Sequence, residues 1–146
     1  MEINESAEVK PLHVNNCRPL DLHIQEPAEK LIQELIEGGV LKPQTKSTDW
    51  CSQVRFVMKG DKIYLCTDFR QLNKVLKHPV KMFILPDKIQ KKLHSSSKYF
   101  AKLDMPKSYI QVNIAPKDQD ATTFLLPQGR YAYTKLPMGS VQVLII

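Results

Sequence analysis

The segment QVRFVMKGDKIYLCTDF, residues 53–69, decides the fold that we predict for this 146-residue chain. Two runs within it, residues 53–58 and 62–69, are rich in β-branched and aromatic side chains. Gly60 and Asp61 separate them, and a short glycine-containing turn between two such runs is typical of a β-hairpin. The segment therefore predicts a two-stranded hairpin as the first sheet element of the chain.

Basic residues outnumber acidic ones in the whole chain and also within this hairpin. The chain has 21 Lys and Arg against 15 Asp and Glu, for a formal net charge of +6. A basic surplus suits a polyanionic partner such as nucleic acid. In the hairpin, Arg55, Lys59 and Lys62 could contact phosphates, or they could form a solvated edge with no partner. Composition alone leaves both interpretations open.

One helix is predicted on the N-terminal side of the hairpin. It starts at Glu26, where Pro27 suits the first helical position, and it ends at Gly38 and Gly39. Its apolar positions recur at helical spacing; they are Ala28, Leu31, Ile32, Leu35 and Ile36. Residues 1–25 show no period, and we expect an extended arm.

Further elements are predicted on the C-terminal side. Residues 70–75 predict a short helical turn and residues 87–93 a helix, while residues 99–105 and 109–114 predict two strands. The runs 122–126 and 131–136 flank Pro127, Gln128 and Gly129, which predicts a second hairpin. Helices and strands without a regular βαβ repeat indicate an α+β fold.

Asp104 is the residue most suggestive of chemistry. It ends a predicted strand directly before Met105 and Pro106, and carboxylates in such positions often hold Mg²⁺, which prefers oxygen ligands. A solvent-facing or capping aspartate is the alternative. Two-metal phosphoryl transfer usually needs at least two carboxylates, so Asp104 alone is not such a site. Tyr109 could form an aromatic wall against a sugar or base, or it could be core packing.

Cysteine usage and hydropathy limit the cellular context. Cys17, Cys51 and Cys66 are odd in number and widely spaced, which favours free thiols in a reducing compartment over a zinc site. The N-terminus is polar and acidic, unlike a signal peptide. No apolar run approaches the roughly 20 residues of a membrane span. We expect an intracellular protein, cytoplasmic or nuclear, with no membrane partner.

A series of short motifs, in order along residues 31–139, resembles the reverse transcriptases of gypsy-type long-terminal-repeat retrotransposons. The segment 66–74, CTDFRQLNK, is similar to their fingers motif, and 99–104, YFAKLD, with 108–112, SYIQV, is similar to their first palm motif. Further matches are LIQELIEGGVLKP (31–43), WCS (50–52), VRFV (54–57), TF (123–124), GRY (129–131) and LPMG (136–139).

The resemblance implies a fold and a division of the chain. It implies the α+β fold of a right-hand polymerase, with fingers and a truncated palm. The expected parts are an N-terminal arm (1–25), a fingers subdomain (26–98), a partial palm (99–139) and a tail that does not match the family (140–146). The expected partners are an RNA or DNA primer-template and a deoxynucleoside triphosphate.

The resemblance also implies roles for palm residues. Asp104 corresponds to the first metal-binding, catalytic aspartate, and the carbonyl of Met105 would help to hold the same Mg²⁺ ion. Backbone amides of Lys107 and Ser108 would face the triphosphate. Tyr109 corresponds to the aromatic gate that excludes a ribose 2′-hydroxyl.

Roles for fingers residues follow in the same way. Lys59 corresponds to a lysine that binds the γ-phosphate of the nucleotide. Four residues lie where the family touches the template strand or supports that contact: Asp68, Arg70, Asn73 and Gly139. Arg55 and Lys62 are expected to contact nucleic-acid phosphates.

Several positions depart from the family. Tyr64 stands where the family has a fingers arginine, and tyrosine cannot replace that permanently charged fork. The hairpin is one residue shorter than usual, and Ser108 replaces a frequent glycine. The Tyr/Phe-x-Asp-Asp motif that supplies the remaining metal ligands does not occur. We therefore expect a reverse transcriptase fragment that is inactive by itself. The alternatives are a non-catalytic nucleic-acid-binding module and an unstable pseudogene product.

Overall fold

A computed structural model describes residues 10–77, 87–88, 91 and 98–140 of the chain. Its helices are α1 (Leu22–Glu37), α2 (Arg70–Val75) and α3 (Pro116–Gln119), with short 3₁₀ helices at Ser108–Gln111 and Asp120–Thr122. Its strands are β1 (Leu41–Pro43), β2 (Val54–Lys59), β3 (Lys62–Thr67), β4 (Phe124–Leu126) and β5 (Gly129–Tyr133).

The predicted hairpin at residues 53–69 is confirmed. Strands β2 and β3 pair in antiparallel register from Val54 opposite Thr67 to Lys59 opposite Lys62. Gly60 and Asp61 therefore form a two-residue turn, and Gly60 has a φ of 60°, in the region that favours glycine. The turn residues and the strand composition explain why this element is predictable from the sequence.

A second sheet carries the order β1-β5-β4, with both pairings antiparallel. The hairpin predicted around Pro127 and Gln128 is confirmed, because Leu126 pairs with Gly129 across a two-residue turn. Strand β1 is absent from the sequence-based prediction; Leu41 pairs with Tyr133 in it. A three-residue segment without clear alternation of apolar and polar side chains gives little sequence signal for a strand. The segment becomes a strand because it hydrogen-bonds to the edge of β5.

Helix α1 begins earlier than predicted. It starts at Leu22 and contains Pro27 within its length, so the start expected at Glu26 is wrong. Ile24 lies one turn before the buried Ala28 and packs against the core, which extends the apolar face backwards. Pro27 lacks the N–H that would bond to the His23 carbonyl, and His23 is exposed, so water can satisfy that carbonyl.

The core joins the two sheets through aromatic side chains. The rings of Phe124 and Tyr133 lie 5.3 Å apart, and the edge-on contact between Phe69 and Tyr133 spans 5.9 Å. Phe124 is fully buried, and Phe69 and Leu72 are almost so. Phe69 follows the last residue of β3 by two positions, so this cluster fixes the base of the hairpin against the second sheet.

The strands predicted at residues 99–105 and 109–114 are wrong. Residues 98–105 form no regular element, and Ser108–Gln111 is a 3₁₀ helix. A strand requires a hydrogen-bonded neighbour, and in the described part of the chain nothing pairs with residues 99–105. Their side chains stay in solvent, with Tyr99 93% and Leu103 92% exposed.

Some predictions fall wholly or partly outside the described residues. Of the helix expected at residues 87–93, Asp87, Lys88 and Lys91 are described, and their backbone is helical. Residues 78–86 before that helix, residues 1–9 of the arm and residues 141–146 of the tail lie outside the described residues. Over the described ranges, no helix has the length and apolar character needed to cross a bilayer. Cys17, Cys51 and Cys66 are free thiols, as expected.

Candidate nucleic-acid interface

The β2–β3 hairpin presents one exposed face with a basic character. Because successive side chains of a strand alternate between faces, paired residues lie on the same side. The register places Arg55 opposite Cys66, Val57 opposite Tyr64 and Lys59 opposite Lys62. All six residues are exposed. We call this set the hairpin face; its members are Arg55, Val57, Lys59, Lys62, Tyr64 and Cys66.

The opposite side of the hairpin is directed at the core. Phe56 is buried, and Val54, Ile63 and Leu65 pack against the same core while remaining partly exposed. Slippage by one residue would exchange the two faces, so the apolar side fixes the register of the hairpin. The cations of the hairpin face are therefore held outward by the burial of their neighbours.

The three predicted cations of the hairpin face come together on one surface. Among the residues that the structure describes, no carboxylate lies within 4.0 Å of Arg55, Lys59 or Lys62. Asp61 lies in the turn next to Lys62 and moderates the charge at the tip. Exposed cations without a carboxylate in contact are suited to attract phosphates, because phosphate contacts release counterions.

Asp68 and Arg70 form an ion pair at the start of α2. Arg70 Nη2 donates to Asp68 Oδ2 at 2.6 Å, and Arg70 Nε donates to Asp68 Oδ1 at 2.9 Å. The backbone N–H of Arg70 also donates to Asp68 Oδ1 at 3.1 Å. These hydrogen bonds from Arg70, with its charge, lower the pKa of Asp68. The carboxylate thus holds the guanidinium in a fixed orientation at the surface.

A groove of about 390 Å³ runs between the N-terminal arm and α2. Its lining residues are Leu12, Val14, Gln53, Asp68, Arg70, Gln71 and Lys74. The structure therefore brings the predicted Asp68 and Arg70 together, and adds five residues that the sequence does not single out. The arm residues carry no periodic signal, and only the hydrogen bonds from Cys51 N to Leu12 O at 2.7 Å and from Val14 N to Cys51 O at 3.1 Å reveal their position.

Asn73 and Gly139 are also brought together. Asn73 Nδ2 donates to the Gly139 carbonyl at 2.8 Å, which links α2 to the loop after β5. Gly139 has a φ of 90°, a conformation that residues with a Cβ rarely adopt. The family resemblance points to both positions, but it does not predict the hydrogen bond between them.

The segment around Asp104 forms a separate exposed region. Asp104 and Met105 are exposed, and Tyr109 is half-buried in the 3₁₀ helix Ser108–Gln111. Lys107 has a φ of 53°, an uncommon left-handed conformation for a residue with a Cβ, and it turns the chain into that helix. Gln111 Nε2 donates to the Pro106 carbonyl at 3.4 Å, across the same turn.

The acidic groups near this region do not assemble into a metal site. In the part of the chain that is described, no three His, Cys, Asp or Glu side chains form a group that could hold a metal ion. Asp120 Oδ1 accepts a hydrogen bond from Gln44 Nε2 at 2.6 Å. Asp104 is the sole predicted carboxylate ligand, and within the described residues it belongs to no group of three such side chains.

The hairpin and the second sheet are connected by a hydroxyl pair between a buried tyrosine and a half-buried threonine. Tyr133 Oη and Thr67 Oγ1 lie 2.9 Å apart, and burial raises the pKa of Tyr133. The Tyr133 backbone N–H donates to Thr122 Oγ1 at 2.9 Å. These contacts fix the end of β3, and hence the direction in which the hairpin face points.

The chain is similar to Pol polyproteins of transposons, although no protein-family model matches it. It is 28% identical over 127 residues to the retrovirus-related Pol polyprotein from transposon opus of Drosophila melanogaster, covering 83% of this chain. It is 29% identical over 139 residues to that from transposon 412 of the same fly, covering 89% of this chain. The chain spans 12% and 11% of those two relatives.

Solved structures of a viral enzyme share the fold. The native prototype foamy virus protease-reverse transcriptase matches 96% of this chain and 19% of its own, with a TM-score of 0.73 and 22% identity. The foamy viral protein in complex with an RNA/DNA hybrid matches 94% of this chain and 18% of its own, with a TM-score of 0.69 and 18% identity. The chain is thus similar in sequence to part of retrotransposon Pol polyproteins, and it has the α+β fold of the fingers and part of the palm seen in the foamy viral protease-reverse transcriptase.

Proposed function

We propose that this chain contributes the template- and nucleotide-contacting surface of an RNA-directed DNA polymerase. The observation that carries the proposal is the hairpin face, where three exposed cations lie on the shared fold without a carboxylate within 4.0 Å in the described residues. A foamy viral protein with this fold has been solved with an RNA/DNA hybrid. Residues 26–98 would act as fingers and residues 99–139 as the first part of the palm.

The template strand would lie along the groove and α2. Arg70 would contact template phosphates while Asp68 holds its guanidinium in place, since a paired arginine keeps donors free on its outer edge. Asn73 would act through its hydrogen bond to Gly139, which supports the backbone beneath the strand. Arg55 and Lys62 on the hairpin would contact phosphates without reading sequence.

The incoming deoxynucleotide would lie between the hairpin tip and the turn at Lys107. Lys59 at the tip would contact the γ-phosphate, and the backbone amides of Lys107 and Ser108 would face the triphosphate. The left-handed conformation of Lys107 supports this role, because successive amides in such turns form anion-binding concavities. Tyr109 would exclude a ribose 2′-hydroxyl.

Mg²⁺ is the cofactor that this chemistry requires, and the described residues fit it only in part. The Asp104 carboxylate and the Met105 carbonyl are exposed oxygen donors, which Mg²⁺ prefers. A two-metal centre needs further carboxylates, and the described residues do not group them around Asp104. We therefore propose one partial metal site and assign no reaction step to this chain alone.

Binding of a labelled RNA/DNA primer-template, followed by fluorescence anisotropy at about 50 and about 200 mM salt, tests the proposal. We expect weak, sequence-independent binding with a negative log-log salt slope, to which each phosphate bound by a cation contributes about 0.7 to 0.9. The variant Arg55→Gln, Lys59→Gln, Lys62→Gln should bind more weakly and with a shallower slope.

A matched control removes the same number of charges elsewhere. Lys30, Lys46 and Lys117 are exposed and lie outside the hairpin, so their replacement by glutamine lowers the net charge equally. We expect this control to retain most of the binding. Equal losses of affinity in both triple variants would assign the binding to net charge rather than to the hairpin face, and an affinity unchanged by salt would overturn the proposal.

A further inference from the structure

We propose that the hairpin face binds single-stranded nucleic acid by stacking a base on Tyr64 while the flanking cations contact phosphates. The inference rests on the proposed function and deepens it, because it names the form of nucleic acid that this face takes. By the resemblance described above, Tyr64 stands at the position where the family has an arginine. The face is therefore centred on an aromatic ring instead of a charge.

Tyr64 is placed to receive a ligand. It lies in the middle of β3, directly opposite Val57 of β2. The exposed fractions of Tyr64 and Val57 are 47% and 41%, so the ring is accessible beside an apolar neighbour. Nowhere in the described residues does its hydroxyl find a hydrogen-bond partner within the chain. An exposed aromatic ring of this kind offers a flat apolar surface on which any base can stack.

The cations lie at both ends of this aromatic centre. Arg55 precedes Val57 by two residues, and Lys59 follows it by two, where it pairs with Lys62. At about 3.3 Å per residue, Arg55 and Lys59 are separated by about 13 Å along the strand. That length exceeds the ~3.4 Å axial spacing of phosphates along one strand several times, so the two cations can contact different phosphates of the same strand. A strand running along the hairpin can therefore place a base at the centre and phosphates at both ends.

This arrangement fits an extended polyanion better than a compact one. A triphosphate can meet Lys59 at the tip, but the centre of the face offers it no further cation because Tyr64 is uncharged. A duplex is a poorer match as well, since its bases stack on one another and their faces are not exposed. A single strand satisfies both features of the face, the accessible ring and the separated cations.

Substitutions at Tyr64 in the 146-residue chain distinguish base stacking from charge. Binding should be measured by fluorescence anisotropy with three ligands of equal length. They are an oligothymidylate as single-stranded DNA, an oligouridylate as single-stranded RNA, and a duplex. Tyr64→Leu should weaken single-strand binding by about 5- to 150-fold, the loss typical of one base stack, without changing the salt slope. Tyr64→Phe keeps a ring and should bind as the parent does.

Tyr64→Arg restores the charge found in the family. This variant should lose part of the stacking energy. The slope of log affinity against log salt should become steeper by about 0.7 for a single strand, because one more phosphate is contacted. The variants should be compared at equal folded fraction, which thermal unfolding followed by circular dichroism provides. If Tyr64→Leu loses more affinity for one of the two oligonucleotides, the face prefers that type of strand, DNA or RNA. Either preference supports the inference.

Two results would overturn it. If Tyr64→Leu binds single strands as well as the parent, the ring carries no base, although the salt-sensitive binding of the proposed function would stand. If Tyr64→Leu weakens duplex binding as much as single-strand binding, the ring acts through the shape of the hairpin and not through a stacked base. A parent chain that binds no nucleic acid at all would overturn this inference and the proposed function together.

Discussion

Single side chains determine how the hairpin is attached to the rest of the fold. Tyr133 is the clearest case, because its ring packs against Phe69 and Phe124 while its hydroxyl meets Thr67 at 2.9 Å. Burial of a hydroxyl costs free energy unless it finds such a partner. The Thr67–Tyr133 pair therefore links the end of β3 to β5, although the two residues lie far apart in the sequence.

Tyr133→Phe should lower the free energy of unfolding by about 0.5–1.5 kcal/mol, the usual net value of a hydrogen bond. Urea denaturation measures the change, and Thr67→Val completes a double-mutant cycle that isolates the pair. Tyr131→Phe removes the same atom from a half-buried ring and serves as the control. If the two tyrosine variants lost equal stability, the hydroxyl pair would contribute nothing of its own.

The ion pair between Asp68 and Arg70 has a consequence for titration. Hydrogen bonds and charge from Arg70 lower the pKa of Asp68. A depressed carboxyl pKa gives stability that is present above the ordinary pKa and is lost as pH falls through the depressed value. Because Arg70 is 85% exposed, we expect that contribution to be small.

Arg70→Gln should return the pKa of Asp68 toward its ordinary value. The change is measurable by following the Asp68 carboxyl signal in an NMR titration. Arg55→Gln removes an equal charge from the hairpin face and should leave the titration of Asp68 in place. A carboxyl pKa that stays depressed in Arg70→Gln would mean that another group holds it down.

Among the elements, the turn of the hairpin depends on a backbone conformation that favours glycine. Gly60 has a φ of 60°, and no atom lies within 4 Å of the place where a Cβ would be. A substitution there meets no neighbour, so its cost is conformational and not steric. The two-residue turn sets the register that places every cation of the hairpin face outward.

Gly60→Ala should lower the free energy of unfolding by about 1 kcal/mol, because an L-residue with a Cβ resists the left-handed conformation. Gly60→Asn is the matched comparison, since asparagine adopts that conformation more readily and should lose less. Urea denaturation distinguishes the three chains. An alanine variant as stable as the parent would show that the turn can relax to a different conformation.

Elements with local signals are predictable from the sequence, and elements that depend on distant partners are not. Both hairpins are predictable because Gly60 with Asp61, and Pro127 with Gln128, mark their turns within the sequence. Residues 99–105 have the composition of a strand, but composition does not supply the neighbouring strand that its hydrogen bonds require. The start of α1 at Leu22 is not predictable from the sequence, because Pro27 is more typical of the first turn of a helix than of its interior.

The candidate site is predictable to a similar extent. The cations of the hairpin face follow from strand alternation once the turn is known. The groove is not predictable, because it needs the N-terminal arm beside Cys51, where Leu12 and Val14 join residues far along the chain. The roles expected at Asp104, Met105, Lys107, Ser108 and Tyr109 come from family resemblance, and they stay predictions.

At the scale of the whole molecule, the described contacts join the fingers-like hairpin to the second sheet at several points. The Phe69 and Thr67 contacts with Tyr133 lie at the base of the hairpin, and the Asn73–Gly139 hydrogen bond lies beside α2. The hairpin face, the groove and the Asp104 turn are nevertheless all open to solvent. The three surfaces to which we assign nucleic-acid and nucleotide contacts are thus accessible to a partner.

We predict that this chain by itself will not extend a primer with deoxynucleotides and Mg²⁺. In-line attack of a primer 3′-hydroxyl requires that oxygen to be activated and the leaving pyrophosphate to be neutralised, and two bridging cations do both. Asp104 offers one carboxylate, while Asp120 is engaged by Gln44 at 2.6 Å. By resemblance, Tyr64 also stands where the family has an arginine, so the chain would lack a cation to orient the triphosphate. Loss of metal ligands and of positioning should each lower the rate by orders of magnitude.

A primer-extension assay on the purified chain decides this prediction, with a complete reverse transcriptase on the same primer-template as the positive control. The parent chain and Asp104→Asn should both give no product above background, while each still binds the primer-template. Binding that is retained without synthesis would show that this chain acts by binding the primer-template and has no active centre of its own. Templated synthesis by the parent that Asp104→Asn abolishes would show the prediction to be wrong, because a second carboxylate would then have to reach Asp104 from residues that we have not assigned to the site.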